Sequence, residues 1–163
     1  MDIPVYSIVA FSGTGKTTVI TALISELKRR GLRVAAVKHD AHDFEIDREG
    51  KDSQRMTAAG ADVVAISSAA KTAVIENRPV DIEALISRIT GVDVILTEGY
   101  KHGPWPKIAL LRAGSGKPLP VPPDECFAVM SDTGVETPRP LLRLDDIAGL
   151  ADLITGDMAR KTD

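Results

Sequence analysis

Ala10-Phe11-Ser12-Gly13-Thr14-Gly15-Lys16-Thr17-Thr18 is the stretch whose reading decides the fold. It matches the phosphate-loop pattern G-x-x-x-x-G-K-[ST] at every fixed position but the first, where Ala10 replaces glycine. That first position serves the strand exit, where a methyl group is a small intrusion. Gly13 and Gly15 allow backbone N–H groups to turn inward around phosphate oxygens, with Ser12, Thr14 and Thr18 completing the cradle. Lys16 carries the ammonium that reaches β- and γ-phosphates, and the Thr17 hydroxyl is suited to magnesium. A Gly-Thr-Gly segment alone would also serve as a plain turn between strand and helix, so the flanking sequence has to decide.

Before the loop, Val5 to Ala10 is an apolar run with β-branched residues, as expected for a strand buried on both faces. After it, Val19, Ile20, Leu23, Ile24 and Leu27 recur at helical spacing, and Gly31 stops the helix. Leu32 to Val37 reads as a second buried strand. This β-loop-α-β order belongs to a parallel sheet and is the context a phosphate loop requires. Strands are predicted at Val63 to Ile66, Thr72 to Ile75, Val92 to Leu96, Ile108 to Leu111 and Phe127 to Met130. Helices are predicted from Asp52 or Ser53 to Ala59, over Ile82 to Ile89, and from Asp145 to Ile154. The expected fold is α/β, a P-loop NTPase-type and mostly parallel sheet flanked by helices, with a β-ribbon extension.

A chain of 163 residues suits a single domain, 1–163, and Gly114-Ser115-Gly116 with the prolines that follow suggests an excursion over 113–125. The 20 Lys and Arg against 23 Asp and Glu give a net charge of -3, which argues against nucleic acid or an anionic membrane as partner. No run approaches the ~20 apolar residues of a membrane-spanning helix. The single cysteine, Cys126, suits a reducing cytoplasm.

In open α/β sheets ligands sit beyond the carboxyl ends of the strands. Lys38-His39-Asp40-Ala41-His42-Asp43 follows the second strand, Glu98-Gly99-Tyr100-Lys101-His102 follows Val92 to Leu96, and Ser131-Asp132 follows Phe127 to Met130. Glu98 is placed to hold magnesium through water or to orient an attacking water. Asp93 opens its strand and belongs at the opposite end of the sheet. Asp40 and Asp43 are further candidates for magnesium or for a switch segment. Asp132 can accept hydrogen bonds from a guanine edge or can simply form a turn, and an Asn-Lys-x-Asp guanine reader is absent, since Asn77 is the sole asparagine. The phosphate-loop neighbourhood shows no arginine finger, a group that a partner can supply, and 113–125, with Arg112 and Lys117 as its basic residues, does not make an arginine-rich lid.

Taken together, Ser12 to Thr18, Lys38-His39 with His42-Asp43, Gly50-Lys51-Asp52-Ser53, Glu98 to His102 and the closing Leu144 to Ile147 resemble the molybdopterin-guanine dinucleotide biosynthesis protein B family, MobB, over most of residues 5–155. The resemblance implies GTP binding with weak hydrolysis, magnesium dependence and a homodimer. It also implies an accessory role beside the enzyme that attaches GMP to molybdopterin, with molybdopterin itself as a further ligand. It places Lys38, His39, Asp43, Lys51, Ser53 and Lys101 near the nucleotide or a pterin, and the dimerising ribbon at 113–125. Two other functions fit the residues: a small-molecule kinase with its acceptor near Lys101 and His102, and a metallochaperone GTPase built on His39, His42 and His102.

Overall fold

The apolar run that precedes the phosphate loop becomes the central strand of a parallel sheet, and its neighbours in that sheet set the positions of Lys38, Glu98 and Asp132. The computed structural model describes residues 2–39, 46 and 48–162. In chain order the elements are β1 (Val5–Val9), α1 (Lys16–Arg29), β2 (Val34–Lys38), α2 (Asp52–Ala58), β3 (Val63–Ser67), β4 (Thr72–Glu76), α3 (Ile82–Ser87), β5 (Val94–Glu98), β6 (Lys107–Leu111), β7 (Cys126–Ser131), β8 (Leu141–Leu142) and α4 (Ile147–Thr162). They fall into two compact units, Met1–His39 with Gly91–Asp163, and Asp40–Thr90.

The first unit holds a six-stranded sheet of order β2-β5-β1-β6-β7-β8. Every pairing in it is parallel. Side chains alternate across the sheet. On one face Tyr6, Ile8, Leu96, Ile108, Leu110 and Met130 meet Leu23 and Leu27 of α1 and Leu150 and Ile154 of α4, all essentially shielded from water. On the other face Val9, Ala109 and Val129 are covered by Leu119, Val121 and Val135. The proline-rich 113–125 segment thus contributes Leu119 and Val121 to a core. Within the sheet, the buried Thr97 hydroxyl donates to the buried Ser7 hydroxyl at 2.8 Å, so that these two polar groups satisfy each other.

Helix α4 runs past the Ile154 expected from the apolar stripe. Asp157 accepts a 2.6 Å bond from the buried Tyr6 hydroxyl and pairs with Lys161 at 2.7 Å, which anchors the added turns to β1. Burial, with the hydrogen bond to Asp157, raises the Tyr6 pKa well above the ordinary phenol range. Strand β8, two residues long after Pro138 and Pro140, has no counterpart in the sequence reading.

The second unit carries a two-stranded antiparallel ribbon, β3 with β4. These segments were expected to continue the strand-helix alternation; only residues 68–71 join them, far short of the ~12 residues that a parallel crossover needs. The ribbon expected at 113–125 is therefore found at 63–76, and 113–125 contains no strand. Helix α2 begins after Lys51 without a side-chain cap, so neither Asp52 nor Ser53 acts as the expected capping residue; Asp81 does cap α3, accepting from the Glu83 N–H at 3.0 Å. Among the described residues no helix is long and apolar enough to cross a membrane.

Candidate functional site

The chain leaves β1 at Val9 and enters α1 at Lys16, and the intervening turn uses Gly13 and Gly15 with φ of 81° and 98°. Those angles lie in the left-handed region that a Cβ disfavours, which is why glycine stands at both positions. Thr14 is buried between them. Helix α1 starts at Gly15 with no side-chain cap and no acid in its first turn. Its leading N–H groups and the positive end of its dipole are thereby left to an anion. The Lys16 ammonium donates to the carbonyls of Ala10 at 2.9 Å and Phe11 at 3.2 Å, which holds it over the mouth of the loop.

One residue on, the Thr17 hydroxyl stands 3.4 Å from each carboxylate oxygen of Glu98, the last residue of β5. The sheet creates this meeting. β5 pairs with β1 so that Glu98 lies opposite Ile8, and the Gly99 N–H donates to the Ile8 carbonyl at 2.9 Å. A hydroxyl and a carboxylate at this spacing form a hard oxygen set that fits magnesium, with phosphate and water oxygens as the remaining ligands. Asp93, by contrast, sits at the far end of β5. There the Arg33 guanidinium pairs with it at 2.7 Å and holds its carboxyl down to about 2. Asp93 and Glu98 thus lie at opposite ends of β5.

Lys38 ends β2 opposite Glu98 in register, and the next residue, His39, donates its N–H to the Glu98 carbonyl at 3.1 Å. The His39 ring lies against Tyr100, with centroids 4.7 Å apart, and Tyr100 meets Trp105 edge to face at 6.0 Å. Tyr100 has a φ of 57° without being glycine, and burial raises its pKa. Lys101 places its ammonium 6.0 Å from the Phe11 ring centroid. An aromatic and cationic rim therefore borders the Glu98 side of the loop.

On the other flank Asp132, just beyond β7, accepts the Ala113 N–H at 2.5 Å. This long-range bond fixes the loop after β6, a role distinct from both the guanine contact and the local turn. It brings Arg112 and Lys117, two basic residues that the sequence gives no place at the site, up to the phosphate loop. Lys117 donates to the Ser12 carbonyl at 3.1 Å, and a Cβ placed on Gly15 would lie 3.1 Å from an Arg112 guanidinium nitrogen. Arginine is thus present beside the phosphate loop, though about a hundred residues along the chain.

Lys51 and Ser53 belong to the second unit, where with Arg48, Met56, Val64 and Ile66 they line an open cleft of about 700 Å³ between α2 and β3. Asp40, His42 and Asp43 lie outside the described residues. Among the described residues no three His, Cys, Asp or Glu side chains gather as a metal site.

Known proteins resemble this chain in both sequence and fold. Residues 5–132 match the family model described as molybdopterin guanine dinucleotide synthesis protein B, MobB. The chain is 38% identical over 157 residues to the molybdopterin-guanine dinucleotide biosynthesis adapter protein of Haemophilus influenzae, covering 94% of this chain and 88% of that one. It is 37% identical to the protein of the same name from Escherichia coli, covering 98% and 95%. The crystal structure of Bacillus subtilis MobB superposes with a TM-score of 0.77 at 29% identity, covering 94% of this chain and 96% of that one. With sequence relatives and a solved structure matched over nearly their full lengths, this chain belongs to the MobB family.

Proposed function

We propose that this protein is a GTP-binding adapter of molybdopterin guanine dinucleotide biosynthesis, with weak, magnesium-dependent GTPase activity, acting in the cytoplasm beside the enzyme that transfers GMP to molybdopterin. The observation that carries the nucleotide part is the approach of Thr17 to Glu98 at the mouth of an uncapped phosphate loop. The pathway and the guanine preference rest on the relatives' names and on family membership.

On this reading Ser12 to Thr18 wrap the β-phosphate with backbone N–H groups, and Lys16 leaves the Ala10 and Phe11 carbonyls for the β- and γ-phosphates. Thr17 and Glu98 hold magnesium, which neutralises charge on the phosphoryl oxygens. Glu98, engaged at the metal side, is poorly placed to serve at the same time as a free base, and slow hydrolysis follows. Lys38, His39 and Lys101 rim the γ-phosphate side, where a partner or second ligand meets the nucleotide. Asp132 retains one carboxylate oxygen for a guanine edge while the other holds Ala113.

Homodimerisation is supported by the outward face of the ribbon, where Val63 and Val74 are 52% and 61% exposed. Apolar residues on an unpaired ribbon favour burial against a second copy. The cleft of Arg48, Lys51 and Ser53, with Met56 and Ile66 as an apolar wall, suits a phosphorylated planar ligand such as the pterin.

The test is titration with GTP and ATP, with and without magnesium, followed by assay of phosphate release. Tight magnesium-dependent binding of GTP with slow release is expected; preference for ATP with rapid transfer to a small acceptor would overturn the reading in favour of a kinase.

A further inference from the structure

We infer that the turn from Arg112 to Lys117 is a second phosphate clamp, in which the Arg112 guanidinium binds the α- and β-phosphates on the side of the loop away from Glu98. The inference rests on the nucleotide reading above and adds a residue to it.

Sheet order makes the assignment directional. β5 and β6 flank β1 on opposite sides, so Glu98 borders the loop on one side and Arg112, immediately after β6, borders it on the other. The γ-phosphate end belongs with Thr17 and Glu98. What remains within reach of Arg112, whose terminal nitrogen lies against Gly15, is the α,β end.

The turn is held rather than loose. Asp132 fixes the Ala113 N–H, the Ser115 N–H donates to the Arg112 carbonyl at 3.2 Å, and Lys117 ties the far end to Ser12. Gly114 and Gly116, with φ of 74° and 64°, allow it to fold back on itself. Yet the guanidinium that this turn delivers has no hydrogen-bond or ion-pair partner among the described residues. Lys16, Lys117 and Arg112 therefore converge on a loop whose own N–H groups and helix dipole are also positive, and among the described residues no carboxylate pairs with any of the three. Such convergence is unfavourable until an anion enters. A guanidinium fork matches two phosphate oxygens, and Gly15 supplies the space for it because a Cβ there would crowd the guanidinium.

A contact to the α,β end is made equally with tri- and diphosphate, so it strengthens both without distinguishing them. Calorimetric titration of the full chain with GTP, GDP and inorganic tripolyphosphate tests this in wild type, Arg112→Ala, Arg112→Lys and Lys16→Ala. Arg112→Ala is expected to weaken all three ligands by a common factor of about ten to a hundred, and Arg112→Lys to recover part of the loss. Unchanged tripolyphosphate affinity in Arg112→Ala would overturn the clamp, and a loss restricted to the two nucleotides would reassign Arg112 to the base. Loss for GTP with GDP unaffected would also overturn it, by moving the residue to the γ-phosphate. If Lys16→Ala abolishes binding while Arg112→Ala does not affect it, the nucleotide reading stands and the clamp falls; if wild type binds none of the three, both fall. Arg112 is exposed, so matching far-UV circular dichroism of the variants is expected.

Discussion

The Thr17 hydroxyl bridges both oxygens of Glu98 at 3.4 Å, joining the first turn of α1 to the tip of β5. If this pair holds the metal, its removal acts on magnesium dependence rather than on the fold. In Thr17→Ala and in Glu98→Gln, GTP affinity measured in magnesium should fall by about tenfold or more toward the value measured in EDTA, as expected when an oxygen ligand is lost. Titration with and without the metal checks it; an undiminished magnesium effect in both variants would remove the pair from the metal site.

Gly15→Ala should both destabilise the protein and weaken the nucleotide. The φ of 98° costs a side chain about 1–2 kcal/mol, and the new methyl would meet Arg112 at 3.1 Å. Denaturant unfolding measures the first effect. Combining Gly15→Ala with Arg112→Ala should return the crowding part but leave the backbone part.

At the opposite end of the sheet, Asp93 has its carboxyl lowered from 3.8 to about 2 by hydrogen bonds from Arg33. A group that releases its proton more readily when folded stabilises the fold above its unfolded pKa. That contribution is whole above about pH 4 and disappears as pH falls toward 2. Asp93→Asn should therefore be less stable than wild type at neutral pH and should converge with it below about pH 2, by chemical denaturation across that window.

Tyr6→Phe removes the buried hydroxyl that donates to Asp157 and leaves the ring in place. A cost of about 1–1.5 kcal/mol is expected, seen as a lower denaturation midpoint at constant slope. Amide exchange in the last turns of α4 should accelerate with it.

Val74→Asp places a charge on the exposed ribbon face. If that face pairs with a second copy, light scattering should show a shift from dimer to monomer with the far-UV spectrum retained. A variant that scatters as a dimer at the same concentration would place the interface elsewhere.

Much of this was legible in the sequence because it was local. The β1-loop-α1-β2 order, Glu98 at a strand end and the separation of Asp93 from it follow from patterns within short windows. Arg112 and Lys117 were not legible, because their position beside Ser12 and Gly15 depends on β6 lying next to β1, and strand order is not written in periodicity. The ribbon was misplaced because glycine and proline marked 113–125 as irregular, whereas Leu119 and Val121 were already committed to a core. The four residues between β3 and β4 were the signal passed over. Helix α4 outran its apolar stripe because a tyrosine on another strand supplied its anchor.

The Ser7–Thr97 bond acts as a ruler. Apolar alternation alone would accept β5 displaced along β1 by two residues, since every side chain would still face the side it faces now. Such a slip would carry Glu98 about 6.6 Å along the sheet, out of reach of Thr17. It would also set Ser7 opposite Ile95 or Gly99 and Thr97 opposite Val9 or Val5, stranding two hydroxyls at about 1–3 kcal/mol each. The spacing between the phosphate loop and its acid is thus metered inside the core, by two hydroxyls shut off from solvent.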